Sequence, residues 1–222
     1  NAVLSDLLAT TPGVTVSRNG GIGTTTTVRI RGAEGDQTLT LIDGVRVNDP
    51  SSPGGGFDFG NLLTGNIERV EILRGPNSVP WGSQAIGGVV NIVTARPTET
   101  LKANVRAEYG YKDSAQIVGN VSGTTGKLFA SLGGGYFRDD GISAAASGNE
   151  RDGYRNYGVN GRVELAMTDN ITLDLRGYFS KGKLDLDGFP APTYNFADTT
   201  EYSNAQQLTG YAGIRAVFAG GS

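Results

Sequence analysis

Hydrophobic and polar residues alternate along the second half of the chain, from residue 98 onward. In the first of these segments Leu101, Val105 and Tyr109 share one face, and charged or amide residues occupy the other. A period of two residues predicts half-buried β-strands, and each segment has roughly the 9–11 residues that a tilted strand needs to cross a bilayer. The six predicted strands cover residues 101–109, 115–121, 128–136, 157–165, 171–179 and 208–218.

The connections between these strands distinguish two kinds of β-protein. They comprise residues 110–113, 123–126, 138–153, 168–170 and 180–206. The second and fourth are tight turns, whereas the third and fifth are long and polar, as in transmembrane barrels with short turns at one end and long loops at the other. The strand ends on the long-loop side carry aromatic residues, where a barrel has its girdle. They are Tyr109, Tyr136, Tyr157 and Phe179. We therefore expect membrane-crossing strands, not a soluble sandwich.

Short elements of mixed type fill the first half. Leu4 and Leu8 lie on one face of a predicted helix that ends at Pro12-Gly13. Asp43-Gly44, between two apolar runs, is a strong hairpin signal. Strands are predicted at residues 24–31, 39–42, 45–47, 67–73 and 87–94. Because the stretch 95–100 is polar and contains proline, we divide the chain into domains 1–97 and 98–222.

Composition limits the chemistry that the chain can carry. Of 222 residues, 35 are glycine, which suits turns and strands better than helices. The absence of cysteine and histidine excludes disulfides, thiolate zinc sites and the Ser-His-Asp triad, so an enzyme is the least expected class. A net charge of −3 with both signs interspersed argues against nucleic-acid binding. No run has the length of a spanning helix, and the N-terminus does not resemble a signal peptide.

Five segments of the first half resemble, in order, the plug domain of TonB-dependent outer-membrane receptors. They are Leu4–Leu8 with Pro12-Gly13-Val14, Ile30–Gly32, Leu41–Val45, Ile67–Pro76 and Trp81–Thr94. The second half then looks like the first strands of the receptor barrel. The resemblance implies a plug domain of mixed α/β type followed by antiparallel transmembrane β-barrel strands, about six of an expected 22. Such a barrel is incomplete, and its first and last strands are open edges.

The resemblance also implies a function. Receptors of this family bind a scarce nutrient outside the cell and import it to the periplasm, driven by TonB, which contacts a short N-terminal box. No box-like segment precedes Leu4. The expected partners are TonB, a nutrient ligand and outer-membrane lipid, and the expected location is the outer membrane. The alternatives are a receptor that also signals or that serves as a docking surface for phage or colicin, and a soluble all-β binding or adhesion protein.

In the family, ligand contacts come from plug loops that follow the hairpin and the Arg-Gly-Pro turn. The corresponding residues are Asn48, Asp49, Pro50, Ser51, Ser52, Phe57, Asn77, Val79 and Trp81. The aromatic ring of Trp81 would either stack on a planar ligand or pack in the plug core. Arg31 and Arg74 resemble the plug's half of a plug–barrel lock, with acidic partners on the strands; the alternative is that they are solvated charges at strand edges.

The plug sequence most resembles that of the cobalamin transporters, and residues 18–21 and 85–94 carry this resemblance. A ferric-siderophore receptor of the same family is the alternative. Asp185 and Asp187 lie in the predicted 180–206 connection, where the resemblance implies a calcium site, and oxygen-rich loops suit Ca²⁺. Their spacing is not that of an EF-hand, so an ordinary solvated loop is the competing interpretation. No other cofactor is expected.

Overall fold

The computed structural model describes residues 3–49, 55–63, 67–95, 98–146 and 148–218. Its N-terminal half has two short helices, α1 (Leu4–Leu8) and α2 (Ser78–Trp81). The strands of this half are β1 (Val14–Arg18), β2 (Thr26–Ile30), β3 (Thr38–Ile42), β4 (Val45–Arg46), β5 (Ile67–Arg74) and β6 (Gly88–Thr94). In the described part of the chain, no helix has the length and apolar character needed to span a membrane.

A four-stranded mixed sheet forms the centre of the N-terminal half. Its strand order is β4-β3-β6-β5, with β3 and β6 parallel and the other pairs antiparallel. All five residues of β3 and six of the seven in β6 are buried, which explains why both strands are continuous apolar and β-branched runs. α1 and the antiparallel pair β1–β2 add Leu4, Val28 and Ile30 to the same hydrophobic cluster. The mixed α/β prediction is confirmed, although β1 and α2 were not predicted.

The Asp43-Gly44 turn is fastened to the end of β6. Asp43 and Gly44 both have positive φ, 51° and 79°, as a two-residue hairpin requires. The Asp43 carboxylate accepts hydrogen bonds from the Thr94 N–H at 2.9 Å and from the Thr94 hydroxyl at 2.6 Å. The Gly44 N–H donates to Asn91 Oδ1 at 3.1 Å. The hairpin is therefore held to the last strand before the chain enters its second half.

The C-terminal half is one antiparallel sheet of six strands in sequential order. The strands are β7 (Lys102–Tyr109), β8 (Ala115–Thr125), β9 (Leu128–Asp139), β10 (Tyr154–Ala166), β11 (Ile171–Gly188) and β12 (Ala197–Ala216). On β10 the inward side chains of Tyr154 and Asn156 are buried against the N-terminal half, whereas Arg155 and Tyr157 point outward and are exposed. This confirms the predicted fold class, with β7 and β12 as the edges of an open sheet.

The connections confirm the alternation of long and short links but correct one of them. β11 continues to Gly188 and β12 starts at Ala197. The link between them is therefore 189–196, which is shorter than the predicted connection 180–206. The alternation persists beyond residue 180, but Lys181, Lys183 and Asp185 occupy its outward positions. The sequence predicted a loop here because these strand ends carry polar residues on the face where a membrane-crossing strand was expected to carry apolar ones. The boundary at 97/98 falls between β6 and β7, and because residues 96–97 lie outside the described residues it stays a prediction.

A buried polar network joins the two halves. The Tyr154 hydroxyl donates to Asn61 Oδ1 at 2.8 Å. The Asn156 amide donates to the Asn61 carbonyl at 3.0 Å and to the Tyr154 hydroxyl at 2.7 Å. Because Tyr154 and Asn156 are almost completely buried, each of these groups relies on the others in place of water.

Apolar contacts surround this network. Phe137, Tyr154 and Leu184 form a buried cluster against which Ile22 and Leu63 of the N-terminal half are packed. The Tyr154 ring lies so close to Gly23 that a β-carbon there would overlap it. The glycine is therefore needed for close approach between the halves.

We expect Tyr154→Phe to destabilise the contact between the halves. The substitution removes one hydroxyl that both donates to Asn61 and accepts from Asn156, which leaves buried polar groups unpaired at a cost of about 1–3 kcal/mol. Thermal unfolding of the protein in detergent, followed by near-ultraviolet circular dichroism, measures the effect. Tyr157→Phe, on the outward face of the same strand, is the matched control and should change little. Equal shifts in the two variants would contradict a role for the network.

Candidate functional site

A large polar cavity lies between the N-terminal half and the edge strand β12. Its volume is about 780 Å³, and its lining includes Val45–Asp49, Asn61, Ser180 and Asn204–Gly210. The side-chain amides on its inner surface belong to Asn48, Asn61 and Gln207. Asn204 and Gln206 line it only through their backbone, because they are paired with the outward Lys183 and Lys181. Neutral donors and acceptors of this kind suit a polar ligand whose own groups are amides or hydroxyls.

Asn48 and Asp49, two of the residues predicted to bind the ligand, line the cavity, and the Asn48 side chain also holds its own loop. Its Oδ1 accepts from the Thr40 N–H at 2.7 Å, and its Nδ2 donates to the Thr38 carbonyl at 3.2 Å. Phe57 is only 6% exposed and packs edge-on against Phe59, with the ring centroids 4.8 Å apart. The Phe57 ring therefore belongs to the hydrophobic core and reaches the cavity only at its margin.

The other predicted ligand residues lie on or near α2, or outside the described residues. Val79 is 99% exposed and Trp81 39% exposed, so the Trp81 ring is not packed in the core. Asn77 Nδ2 donates to the Gly75 carbonyl at 2.8 Å, which shapes the turn before α2. The loop after α2 meets the cavity-lining loop where Arg46 donates to Gln84 Oε1. Pro50, Ser51 and Ser52 lie outside the described residues.

Arg31 and Arg74 are exposed, and within the described ranges neither forms an ion pair. Arg31 has a positive φ of 53°, and its N–H donates to the Gly13 carbonyl at 2.8 Å. The charged contact between the halves is made instead by Arg176 of β11, which donates to the carbonyl oxygen of Asp43. The predicted lock therefore has no acidic partner among the described strands and stays a prediction.

Arg176 belongs to a ladder of inward charges that was not predicted. Arg162 of β10 lies 3.2 Å from Asp174 and 2.8 Å from Glu164, and Arg176 pairs with the same Asp174. The Arg176 guanidinium also lies 5.0 Å from the centroid of the Tyr211 ring. The sequence signal that could have predicted this ladder was the alternation of opposite charges on the polar faces of two neighbouring strands.

An acidic cluster forms where the long link 140–153 meets the end of β11. Oxygen atoms of Glu150, Asp152 and Asp187 lie within 4.8 Å of one another. Asp187 Oδ2 accepts from the Ala145 N–H at 2.7 Å and from Ser143 Oγ at 3.1 Å. The remaining oxygens, Oδ1 of Asp152 and Oδ1 of Asp187, are buried and have no hydrogen-bond partner. Two unsatisfied buried carboxylate oxygens beside a third carboxylate fit a hard cation.

The structure corrects the predicted setting of the calcium candidates. Asp185 and Asp187 lie on β11, not in a loop, because the strand runs on to Gly188. Asp185 pairs with Lys183 at 2.9 Å and does not belong to the cluster. Glu150 and Asp152 were missed because they lie some 35 residues earlier in the sequence and are brought to Asp187 only by the pairing of β10 with β11.

Aromatic residues at the tip of the β11–β12 hairpin were also missed. Phe189, Tyr194 and Phe196 are exposed, and the rings of Phe189 and Phe196 lie 5.3 Å apart. They share the end of the sheet that carries the acidic cluster. The sequence placed them in the middle of an expected long loop, where an aromatic pair across a hairpin cannot be recognised.

Comparison with known proteins finds similarity over both halves of the chain. Residues 1–89 match the family model described as the TonB-dependent Receptor Plug Domain. The vitamin B12 transporter BtuB of Photobacterium profundum is 35% identical over 217 residues, which cover 90% of this chain and 34% of the relative. The chain thus spans about one third of the length of that relative.

Solved structures agree with the family match. The siderophore receptor PirA from Acinetobacter baumannii is 28% identical with a TM-score of 0.65, over 83% of this chain and 30% of the receptor. The outer-membrane ferripyoverdine receptor of Pseudomonas aeruginosa, 17% identical with a TM-score of 0.75 over 98% of this chain and 30% of that one, supports the fold alone. Both comparisons include β-strands of the C-terminal half, since they extend well beyond residue 89.

Asp152→Asn should stabilise the folded conformation of the 140–153 link at neutral pH, so that proteases cleave it more slowly. Partial burial raises the pKa of the Asp152 carboxyl, and repulsion from Asp187 and Asp198 adds to this, while the hydrogen bond from the Ala144 N–H opposes it. A carboxyl with a raised pKa stabilises the fold at low pH, and that stability is lost as the pH rises through the raised value. The asparagine keeps an oxygen for the Ala144 N–H and removes the charge.

Limited proteolysis of the link at pH 4 and pH 8, with a calcium chelator present, measures this effect. Cleavage of the unsubstituted protein should be faster at pH 8, and Asp152→Asn should reduce the difference. Asp169→Asn, in the exposed turn between β10 and β11, is the matched control. A cleavage rate that is independent of pH in the unsubstituted protein would refute the repulsion.

Proposed function

We propose that this chain, which belongs to the TonB-dependent receptors of the outer membrane, forms the plug and the first barrel strands of an active nutrient transporter. The observation that supports it most directly is the packing of the plug on the inward face of the strands, with the 780 Å³ cavity between them. A nutrient bound in that cavity would contact plug and barrel together. TonB, acting on a segment before the plug, would then shift the plug and let the nutrient pass.

Membership of the family removes the soluble all-β adhesion protein from the alternatives. We also propose that the chain is not an enzyme, since its plug and barrel strands would bind and move a ligand. The plug–barrel lock by Arg31 and Arg74 belongs to the proposal, with acidic partners on barrel strands other than β7–β12.

Cobalamin is the substrate that we propose. One support is the 35% identity to a vitamin B12 transporter. The other is the charge of the cavity lining, which has one cation, Arg46, beside the carboxylates of Asp49 and Asp58. The corrin ring of cobalamin carries neutral amide side chains and does not require cations, whereas a ferric catecholate is an anion that calls for several of them. A ferric siderophore remains the second candidate because solved relatives include siderophore receptors.

A calcium ion held by Glu150, Asp152 and Asp187 is the second part of the proposal. The three carboxylates fit the ion because two of their oxygens are buried and unpaired. Ca²⁺ prefers oxygen ligands and would neutralise their mutual repulsion. Bound there, it would order the link 140–153 against the end of β11, beside the aromatic hairpin tip that faces the incoming nutrient.

Cyanocobalamin should bind to the full-length receptor more tightly than ferric enterobactin does, as measured by titration calorimetry in detergent. Gln207 faces inward on β12 and lines the cavity, so Gln207→Leu should weaken cyanocobalamin binding about fivefold through the loss of one hydrogen bond. Asn104→Leu, on the inward face of β7 away from the cavity, should leave binding unchanged. No measurable cobalamin binding at micromolar concentration, with and without calcium, would refute the proposed substrate.

Calcium should raise the thermal midpoint of the full-length receptor, and Asp187→Asn should abolish that increase. Asp185→Asn is the matched control, because Asp185 lies two residues away on the same strand but outside the cluster. The calcium titration is followed by differential scanning fluorimetry without any nutrient. An increase that survives in Asp187→Asn, or one that Asp185→Asn also abolishes, would exclude the proposed ligand set.

A further inference from the structure

Three cations stand next to one another on the outward face of the sheet. Arg155 of β10 is paired in register with Arg138 of β9 on one side and with Lys183 of β11 on the other. Directly opposed residues on neighbouring antiparallel strands have β-carbons about 5 Å apart, and like charges at that separation repel each other. We call these three residues the cation row.

The repulsion in the cation row is only partly compensated by the protein. Arg138 lies 3.4 Å from Asp140 and Lys183 lies 2.9 Å from Asp185, so each outer member has an acidic partner on its own strand or just beyond it. Arg155, the central member, is exposed and forms no ion pair within the described ranges. The row therefore presents an unneutralised guanidinium between two further cations.

Aromatic residues place the cation row at the membrane surface. The next outward pair toward the short turns is Tyr136 and Tyr157, and the Tyr157 ring lies 6.1 Å from that of Phe179. Such aromatic girdles sit at the level of the lipid head groups. Two residues further along a strand is about 7 Å, so the cation row lies at or just beyond the girdle, on the side of the long links, where phosphate groups of the outer leaflet are found.

An apolar groove lies on the same outward face, nearer to the short turns than the cation row is. Its volume is about 670 Å³, and its lining includes Leu132, Gly161, Val163, Leu175 and Gly177. Gly161 and Gly177 are opposed in register, so the floor of the groove lacks side chains there. Six residues separate Arg155 from Gly161, which is about 20 Å along the strand and about 14 Å in depth at a tilt near 45°. That depth lies within the outer half of a hydrocarbon core about 30 Å thick.

We propose that this outward surface binds one phosphate-bearing lipid of the outer leaflet. The cation row binds the phosphate, with Arg155 as the central donor, and an acyl chain lies in the groove over Gly161 and Gly177. Two features identify the lipid. The negative charge of its phosphate complements the cation row, and the apolar groove lies at the depth of an acyl chain. The site is on the opposite face of the sheet from the nutrient cavity and is independent of the transported substrate.

Native mass spectrometry of the full-length receptor in detergent tests the site. The lipids are dimyristoyl phosphatidic acid and dimyristoyl phosphatidylcholine, which share their acyl chains, and inorganic phosphate is the third ligand. Phosphatidic acid should bind with a stoichiometry of one and more tightly than phosphatidylcholine. Arg155→Gln should weaken phosphatidic acid binding about fivefold, the contribution of one cation near a membrane surface.

The groove and the charges have separate matched controls. A β-carbon at Gly177 meets no atom within 4 Å, so Gly177→Leu fills the groove without a backbone clash and should displace the lipid. Gly119→Leu, outward on β8 but outside the groove, should not displace it. Lys127→Gln, an exposed cation at the short-turn end, should leave binding unchanged.

Four results would overturn the proposal. Equal affinity for the two lipids would show that the phosphate is not recognised through its charge. Equal losses in Arg155→Gln and Lys127→Gln would show a general effect of charge, and equal losses in Gly177→Leu and Gly119→Leu a general effect of bulk. Binding of inorganic phosphate with the affinity of phosphatidic acid would show that the row holds a free anion and that the groove contributes nothing.

Discussion

Two environments meet across the six strands, and each residue of β7–β12 has to suit one of them. On β10 the outward series from Tyr157 to Leu165 carries no charge, and a charge on the lipid face at the bilayer midplane costs about 2–4 kcal/mol. The inward series of the same strand includes Arg162 and Glu164, which pair with each other. This division accounts for the alternation in the sequence, for the position of the plug and for the outward surface.

A polar inward face also determines how the plug is held. The strands offer the plug hydrogen-bonding groups such as Tyr154 and Asn156 where a soluble protein would offer a continuous apolar core. Each such bond contributes only about 0.5–1.5 kcal/mol net, because water can replace its partners. These polar contacts can be exchanged for hydrogen bonds with water when the plug is loosened, which agrees with its proposed movement.

The sequence predicted most of the fold because periodicity is a local property. The strands β3, β5 and β6, the Asp43-Gly44 hairpin and the six-stranded sheet all follow from runs of fewer than a dozen residues. The site depended on pairing between distant segments. Asp187 was a candidate, but its companions Glu150 and Asp152 come from another link, and Asp185 was a candidate that proved to pair with Lys183. Phe57 follows a loop in the sequence, yet its ring is buried, since loop sequence does not reveal which side chains fold back onto a core.

The hydrogen bond from Arg176 ends on the carbonyl oxygen of Asp43, an atom that every amino acid possesses. Arg176 therefore holds the hairpin through its backbone, and this hydrogen bond does not depend on the side chain at position 43. What restricts position 43 is local: the positive φ admits glycine, asparagine or aspartate most readily, and only a side-chain acceptor can hold Thr94. Plug and barrel sequences can consequently drift apart at this contact during evolution, each under its own restraint, while the geometry that joins them is kept.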